Sequence, residues 1–168
     1  IEVTIYDNFA RGLPEWLASL SSELHLEKHD ITKPLPTSIP SFHYIIHAAS
    51  IASPPVYRKF PIKTVDVNYQ GTRNLLELAK EKKISGMLYL SSSEIYGDPE
   101  IIPTPESYLG RVSCIGPRAC YDESKRLGET ISILYHQQFN VPVKIVRPFN
   151  IYGPYLSLDD GRIIPDFM

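Results

Sequence analysis

A phenol at Tyr121 and an amine at Lys125 stand four residues apart in the stretch CYDESKR, residues 120–126. On a helix, positions i and i+4 share a face, so both groups would project into the same space. A free tyrosine, with a pKa of about 10, cannot serve as a base near neutrality. An ammonium about 4 Å away, at an effective dielectric of about 20, is worth roughly 4 kcal/mol, or about 3 pKa units. That would populate a phenolate able to take a proton from a hydroxyl. Such a pair also occurs on ordinary solvated helix faces, so its meaning depends on its companions.

Three companions point the same way. SSSEIYG (91–97) follows an apolar strand pattern and sets Ser91, Ser92, Ser93 and Glu94 at its carboxyl end, where hydroxyl donors can hold a developing alkoxide. DVNYQGTRNLLE places Asn68 within a helix, on a turn facing the same sheet. RPFNIYGP ends a strand with Pro148 and Asn150.

The elements that must position these groups read as alternating strands and helices. VTIYD (3–7) is a strand delivering Asp7, and LPEWLASL (13–20) a short helix with Pro14 in its first turn. LHLEKHD is a second strand leading to Asp30, followed by the loop KPLPTSIPS. FHYIIHAAS (42–50) is a compact apolar run expected to be a buried parallel strand. Residues 61–83 carry Ile62, Val65, Tyr69, Leu75, Leu76 and Ala79 at helical spacing, which predicts one long amphipathic helix. GMLYLSSS is the next strand, 119–139 the next long helix, and VPVKIVRP a strand stopped by Pro148. Connections of this length predict a parallel α/β sheet wound on both faces. In such sheets ligands sit at the carboxyl ends of the strands, so Asp7, Asp30, Ala48, Ala49, Ser50, Ser91 to Glu94 and Asn150 should converge on one edge.

Composition narrows the class. The 168 residues are 43% hydrophobic and 21% charged, with net charge −2. This suits one ordinary core, and the scattered Lys and Arg give no sustained basic face for nucleic acid or an anionic membrane. Cys114 and Cys120 lack CxxC spacing, and no HExxH-like pair occurs among the five histidines, so neither a disulfide scaffold nor a metal site is expected. No targeting or membrane-spanning segment can be read in the opening IEVTIYDNFA. That opening, without an initiating Met, reads as the interior of a longer protein.

Taken in order, IYDNF, HAAS, SSSEIYG, YDESK, RPFNIYGP and DDGRIIPDF resemble the extended short-chain dehydrogenase/reductase family, the NAD-dependent epimerases and dehydratases of nucleotide sugars. SPPVYRKFPIKT and IGPRACYDESKR are most similar to its UDP-glucuronate decarboxylase branch. The resemblance implies an NAD(P)-binding Rossmann-like doubly wound parallel sheet. Residues 1–168 would be a partial Rossmann domain, with the substrate-binding region beginning at about 150–168. The first strand, its glycine-rich loop and the C-terminal substrate domain would be missing, since no GxGxxG or GxxGxxG occurs among the nine glycines.

The resemblance also assigns roles. Tyr121 would take the proton from the sugar 4-hydroxyl while hydride passes to NAD. Lys125 would keep the phenolate charged and hold the nicotinamide ribose, Ser92 matches the family's catalytic Ser/Thr, and Asn68 supports the site. Asp7, Asn8 and Phe9 would hold the adenosine ribose, favouring NAD over NADP because an acid repels a 2′-phosphate. Asp30 and Ile31 match adenine contacts, and Ala48, Ala49, Ser50 and Pro148 line the cofactor. Asn74, Asn150 and Arg162 match nucleotide-sugar contacts. Family 4,6-dehydratases carry Asp then Glu where this chain has Ser93 and Glu94, so the acid that expels a hydroxyl is absent; Glu94 and Ser93 would manage water and protonation at C5. Asp66 stands where a Lys is expected in decarboxylase relatives. The expected function is decarboxylation of UDP-glucuronate to UDP-xylose through a 4-keto intermediate. A 4,6-dehydratase, a 4-epimerase, or a non-catalytic nucleotide-binding regulator are the alternatives. A cytoplasmic homodimer is expected, paired through helices at about 61–83 and 119–139.

Overall fold

Thr4–Asp7 (β1) and His25–Lys28 (β2) pair in parallel, with Thr4 opposite His25 and Asp7 opposite Lys28, and the short helix Glu15–Ser19 (α1) connects them. A second parallel sheet runs Tyr44–His47 (β3), Gly86–Leu90 (β4) and Val143–Val146 (β5) in that spatial order, with Tyr44 opposite Gly86 and Leu90 opposite Val146. This architecture comes from a computed structural model that describes residues 1–20, 23–36 and 38–154. Among them no ladder joins the two sheets, and both are parallel, as the expected doubly wound sheet without its first strand requires.

The crossover from β3 to β4 is helical almost throughout. Pro54–Lys59 (α2) and Pro61–Asp66 (α3) each start with proline in the first turn, where its missing N–H costs nothing. A π-helical turn, Val67–Gly71, then leads into Thr72–Lys82 (α4). The single long helix expected over 61–83 is therefore a helix, a π turn and a helix. The one-residue insertion also rotates the buried face. Ile62 is exposed, and Val65 and Tyr69 are only half-buried, whereas Thr64, Val67, Asn68, Gly71 and Thr72 are buried.

Helix α5, Ala119–Phe139, crosses from β4 to β5 and ends at Asn140, whose left-handed φ of 57° suits an Asn. α3, the π turn and α4 all pack on α5. Their interface is made of small hydroxyl residues, each bonded to a carbonyl one turn back on its own helix: Thr64 to Phe60, Thr72 to Asn68, Ser124 to Cys120 and Ser132 to Gly128. These groups are satisfied within their own helix, so they can be buried without a partner across the interface. Gly128 lets α5 come close to β4, since a Cβ there would lie 2.1 Å from the Tyr89 hydroxyl.

The apolar core is Leu75, Leu76, Ala79, Ile84, Met87 and Val141, with Ile45, Ile131 and Tyr135 against it. It places α4 and α5 on one face of the three-stranded sheet. On the opposite face of β3, Tyr44 and Ile46 are each 72% exposed. The strand expected to be buried on both sides is thus covered on one.

Candidate active site

The carboxyl ends of β4 and β5 are stitched beyond their ladder. Ser91 N–H donates to Val146 O at 2.9 Å and Ser93 N–H to Pro148 O at 3.0 Å. Ser92 opens the 3-10 turn Ser93–Tyr96, its hydroxyl accepting the Glu94 N–H at 3.2 Å. Arg147 anchors this turn from behind. It forms a two-pronged pair with Glu129 of α5 at 3.0 and 2.8 Å, and donates to the Tyr96 hydroxyl at 2.9 Å and Glu106 O at 2.8 Å.

Tyr121 lies on the first turns of α5, buried, with its ring stacked on Tyr57 at 5.3 Å. Burial pushes its phenol above the usual value. A hydrogen bond with Ser92 pulls the other way, and the negative charges of Glu94 and Asp122 add to the rise. The downward shift expected from Lys125 is not the result in this structure. The Lys125 ammonium donates to Leu90 O at 2.8 Å and lies 5.9 Å from the centre of the Tyr121 ring. Its own burial lowers Lys125 from 10.5 to about 8. At these distances desolvation of the phenol outweighs attraction by the cation.

Asn68 is buried on the π turn and spans the crevice. Its Oδ1 accepts from Ser50 Oγ at 2.7 Å, and its Nδ2 donates to Ser124 Oγ at 2.8 Å. Behind it, Thr72 spends its only hydroxyl proton on Asn68 O, so at 2.9 Å the His47 Nε2 must be the donor. Burial, and then the Lys125 charge, depress His47 to about 3 and so keep it neutral.

Tyr121, Lys125, Ser92, Glu94, Asn68 and Ser50 therefore meet at the ends of β3 and β4, with Ser93 and Pro148 in the adjoining backbone. Asp66 is exposed and apart from Asn68's buried side chain. Asn74 lies elsewhere, donating to Ile31 O at 2.9 Å and accepting from Gln70 at 2.8 Å. Asn150 is exposed after β5, and Arg162 lies outside the described residues.

At the other sheet, Asp7 Oδ1 accepts the Phe9 N–H at 2.6 Å and Asn8 Oδ1 the Ala10 N–H at 3.0 Å, with Phe9 at a φ of 49°. Asp30 accepts from both the Thr32 N–H and hydroxyl, and chiefly the former holds its carboxyl below the ordinary range. These features fit a dinucleotide. Asp7 keeps a second carboxylate oxygen for a ribose diol, and Ala48 and Ala49 leave the end of β3 clear of bulky side chains.

Two residues given no role in the sequence reading belong to the site. Arg118, just before α5, pairs with Glu94 through Nη2, and its Nε lies 3.6 Å from Asp122 Oδ2. Asp122 is raised to about 6, first by burial, which the Arg118 charge only partly offsets. The signal was present in GPRACYD, where an Arg precedes the tyrosine by three residues and an Asp follows it.

A parallel sheet with this Ser, Tyr and Lys arrangement at its carboxyl edge defines a nucleotide-cofactor enzyme of the short-chain dehydrogenase/reductase type. The chain belongs to the NAD dependent epimerase/dehydratase family, whose family model matches residues 3–168. It is 43% identical over 171 aligned residues to UDP-glucuronic acid decarboxylase 5 of Arabidopsis thaliana, covering 99% of this chain and 48% of that protein. It is 44% identical to UDP-glucuronic acid decarboxylase 1 of Xenopus tropicalis, covering 99% of this chain and 39% of that protein. The chain thus spans about half or less of these relatives' length. Among solved structures, it resembles a UDP-N-acetylglucosamine 4-epimerase from Methanobrevibacter ruminantium M1 in complex with UDP-N-acetylmuramic acid, with a TM-score of 0.86 and 26% identity over 99% of this chain and 53% of that one. A UDP-glucuronic acid 4-epimerase from Bacillus cereus in complex with NAD gives 0.78 and 26% over 94% of this chain and 51% of that one. No helix among the described residues is long and apolar enough to cross a membrane.

Proposed function

We propose that this chain supplies the base-bearing, cofactor-binding half of an NAD-dependent enzyme that decarboxylates UDP-glucuronate to UDP-xylose. The observation that carries the reading is the meeting of Tyr121, Ser92, Lys125 and Glu94 at the end of β4, in a chain 43 to 44% identical to UDP-glucuronic acid decarboxylases.

Asp7, Asn8 and Phe9 would hold the adenosine ribose, Asp30 and Ile31 the adenine, and Ala48 to Ser50 with Pro148 the middle of the cofactor. When bound, NAD accepts a hydride from C4 of the sugar and later returns it. Ser92 and Tyr121 bind the 4-hydroxyl, and Tyr121 takes its proton as C4 becomes a ketone. Lys125 supplies positive charge that offsets part of the cost of a buried phenolate. The C5 carboxylate then belongs to a β-keto acid; its bond to C5 breaks, carbon dioxide leaves, and the electron pair stays as an enolate across C4 and C5. Glu94 and Ser93 guide the water that protonates C5. Asn150 and Arg162 are proposed to hold the nucleotide-sugar.

The 4-epimerase reading retains one observation in its favour, the fold shared with a UDP-glucuronic acid 4-epimerase. Glu94, half-buried near the phenol, has no task in that reaction. A homodimer is proposed through α4 and α5, where Ile133 and Leu134 are exposed rather than packed on the sheet. Mass analysis of products from the native protein containing this sequence, given UDP-glucuronate and NAD, tests the function. A UDP-pentose, absent with Tyr121→Phe, is expected. A product of unchanged mass would favour the epimerase.

A further inference from the structure

Glu94 and Tyr121 sit on different elements, the 3-10 turn after β4 and the first turns of α5, yet decarboxylation at one carbon and proton removal at the next require a fixed spacing. The Glu94 backbone is held by Ser92, but its side chain is a flexible arm, and its hydrogen-bond partner is Arg118. Arg118 is itself fixed relative to Tyr121, because its carbonyl accepts the N–H groups of Tyr121 and Asp122 at 2.9 and 3.0 Å. A cation just before a helix N-terminus opposes the helix dipole, and Arg118 makes no side-chain cap there. Its guanidinium lies instead between two carboxylates, and both its Nε and Asp122 Oδ1 are buried without a hydrogen bond among the described residues.

We propose that Arg118 is a positioning residue that locks the Glu94 carboxylate at a set distance from the Tyr121 phenol, with Asp122 as its support. The inference rests on reading this crevice as the nucleotide-sugar site. Arg118 spans from helix to turn as a rigid planar fork, which Lys cannot reproduce. Asp122 Oδ2 lies 3.6 Å from Arg118 Nε, an ion pair that helps hold the guanidinium while Nη2 holds Glu94.

A double-mutant cycle on the native protein separates positioning from general scaffolding. Arg118→Gln should lower kcat by roughly ten- to hundred-fold with KM little changed. Arg118→Lys should regain only part of the loss. Glu94→Gln with Arg118→Gln should be no slower than Glu94→Gln alone, because Arg118 acts through Glu94. Independent, multiplying losses would overturn the proposal, as would an Arg118→Gln enzyme with wild-type kcat. Failure of wild type to release carbon dioxide would instead sink the decarboxylase reading, and the cycle would be run on whichever nucleotide sugar is turned over. A crystal structure of the Arg118→Gln protein gives a readout independent of turnover. Several Glu94 rotamers are expected there, and a single unchanged one would refute the lock.

Discussion

The Asn68 amide and the Ser124 hydroxyl meet at 2.8 Å, joining the π turn to the segment of α5 between Tyr121 and Lys125. Through Ser50, the same amide reaches the end of β3. Three elements thus take their spacing from one buried side chain whose polar groups are bonded on both sides.

Ser124→Ala should remove one end of this brace and leave the Asn68 amide donor buried without an acceptor. A loss of roughly 1–3 kcal/mol is expected from the stranded group. Urea unfolding of the native protein checks it, with the sugar-oxidation step expected to slow as well. A variant as stable as wild type would show that Asn68 finds another partner.

Gly128→Ala should destabilise, although alanine is the better helix former by about 1 kcal/mol. The added Cβ would collide with the Tyr89 hydroxyl, 2.1 Å away, and such overpacking costs roughly 1–3 kcal/mol. Adding Tyr89→Phe removes the nearest atom and should recover part of the loss. Thermal melts of the two single variants and the double variant test this coupling.

Lys125→Met should separate stability from function. The folded chain releases the Lys125 proton at about 8, against 10.5 ordinarily, so a charge penalty is in full force below about pH 8 and fades as pH climbs toward 10.5. At pH 7 the variant should gain up to roughly 3 kcal/mol, a gain that disappears at about pH 10.5. Turnover should be abolished. Denaturant melts at the two pH values decide it, and an equal gain at both would rule out the charge as its cause.

Asp122→Asn carries the mirror-image expectation. The folded chain keeps the Asp122 proton up to about 6 rather than 3.8, so wild-type stability declines as pH rises through that window. The groups facing this carboxyl are Arg118, Glu94 and Glu123. Asn should outperform Asp by roughly 3 kcal/mol more at pH 7 than at pH 4. Melts of both proteins across that range measure the difference, and a pH-independent difference would count against the shift.

Most of the scaffold was legible because strands and helices differ in period. Helix α5 runs over the expected 119–139, and all five strands fall within their sequence-read segments. The π turn was not legible, because one inserted residue leaves apolar spacing plausible while turning the buried face from Ile62 and Val65 to Thr64 and Asn68. Thr64, Thr72, Ser124 and Ser132 were missed as core residues because a hydroxyl that bonds its own helix looks polar in sequence and behaves as neutral in packing. The family motifs pointed to Tyr121, Lys125, Ser92 and Glu94. They could not show that burial would dominate the phenol, a quantity set by Tyr57 and the surrounding walls rather than by the spacing of YDESK. The pairing of Arg118 was not legible, since it reaches Glu94, 24 residues earlier in the chain.

The hydroxyl side chains that α5 and the helices before it turn back onto their own carbonyls are short, so this seam interlocks through stubs rather than long arms. Stubs leave little room to slide. The seam would therefore keep Tyr121 and Lys125 in step with Asn68 while a ligand enters or leaves the crevice.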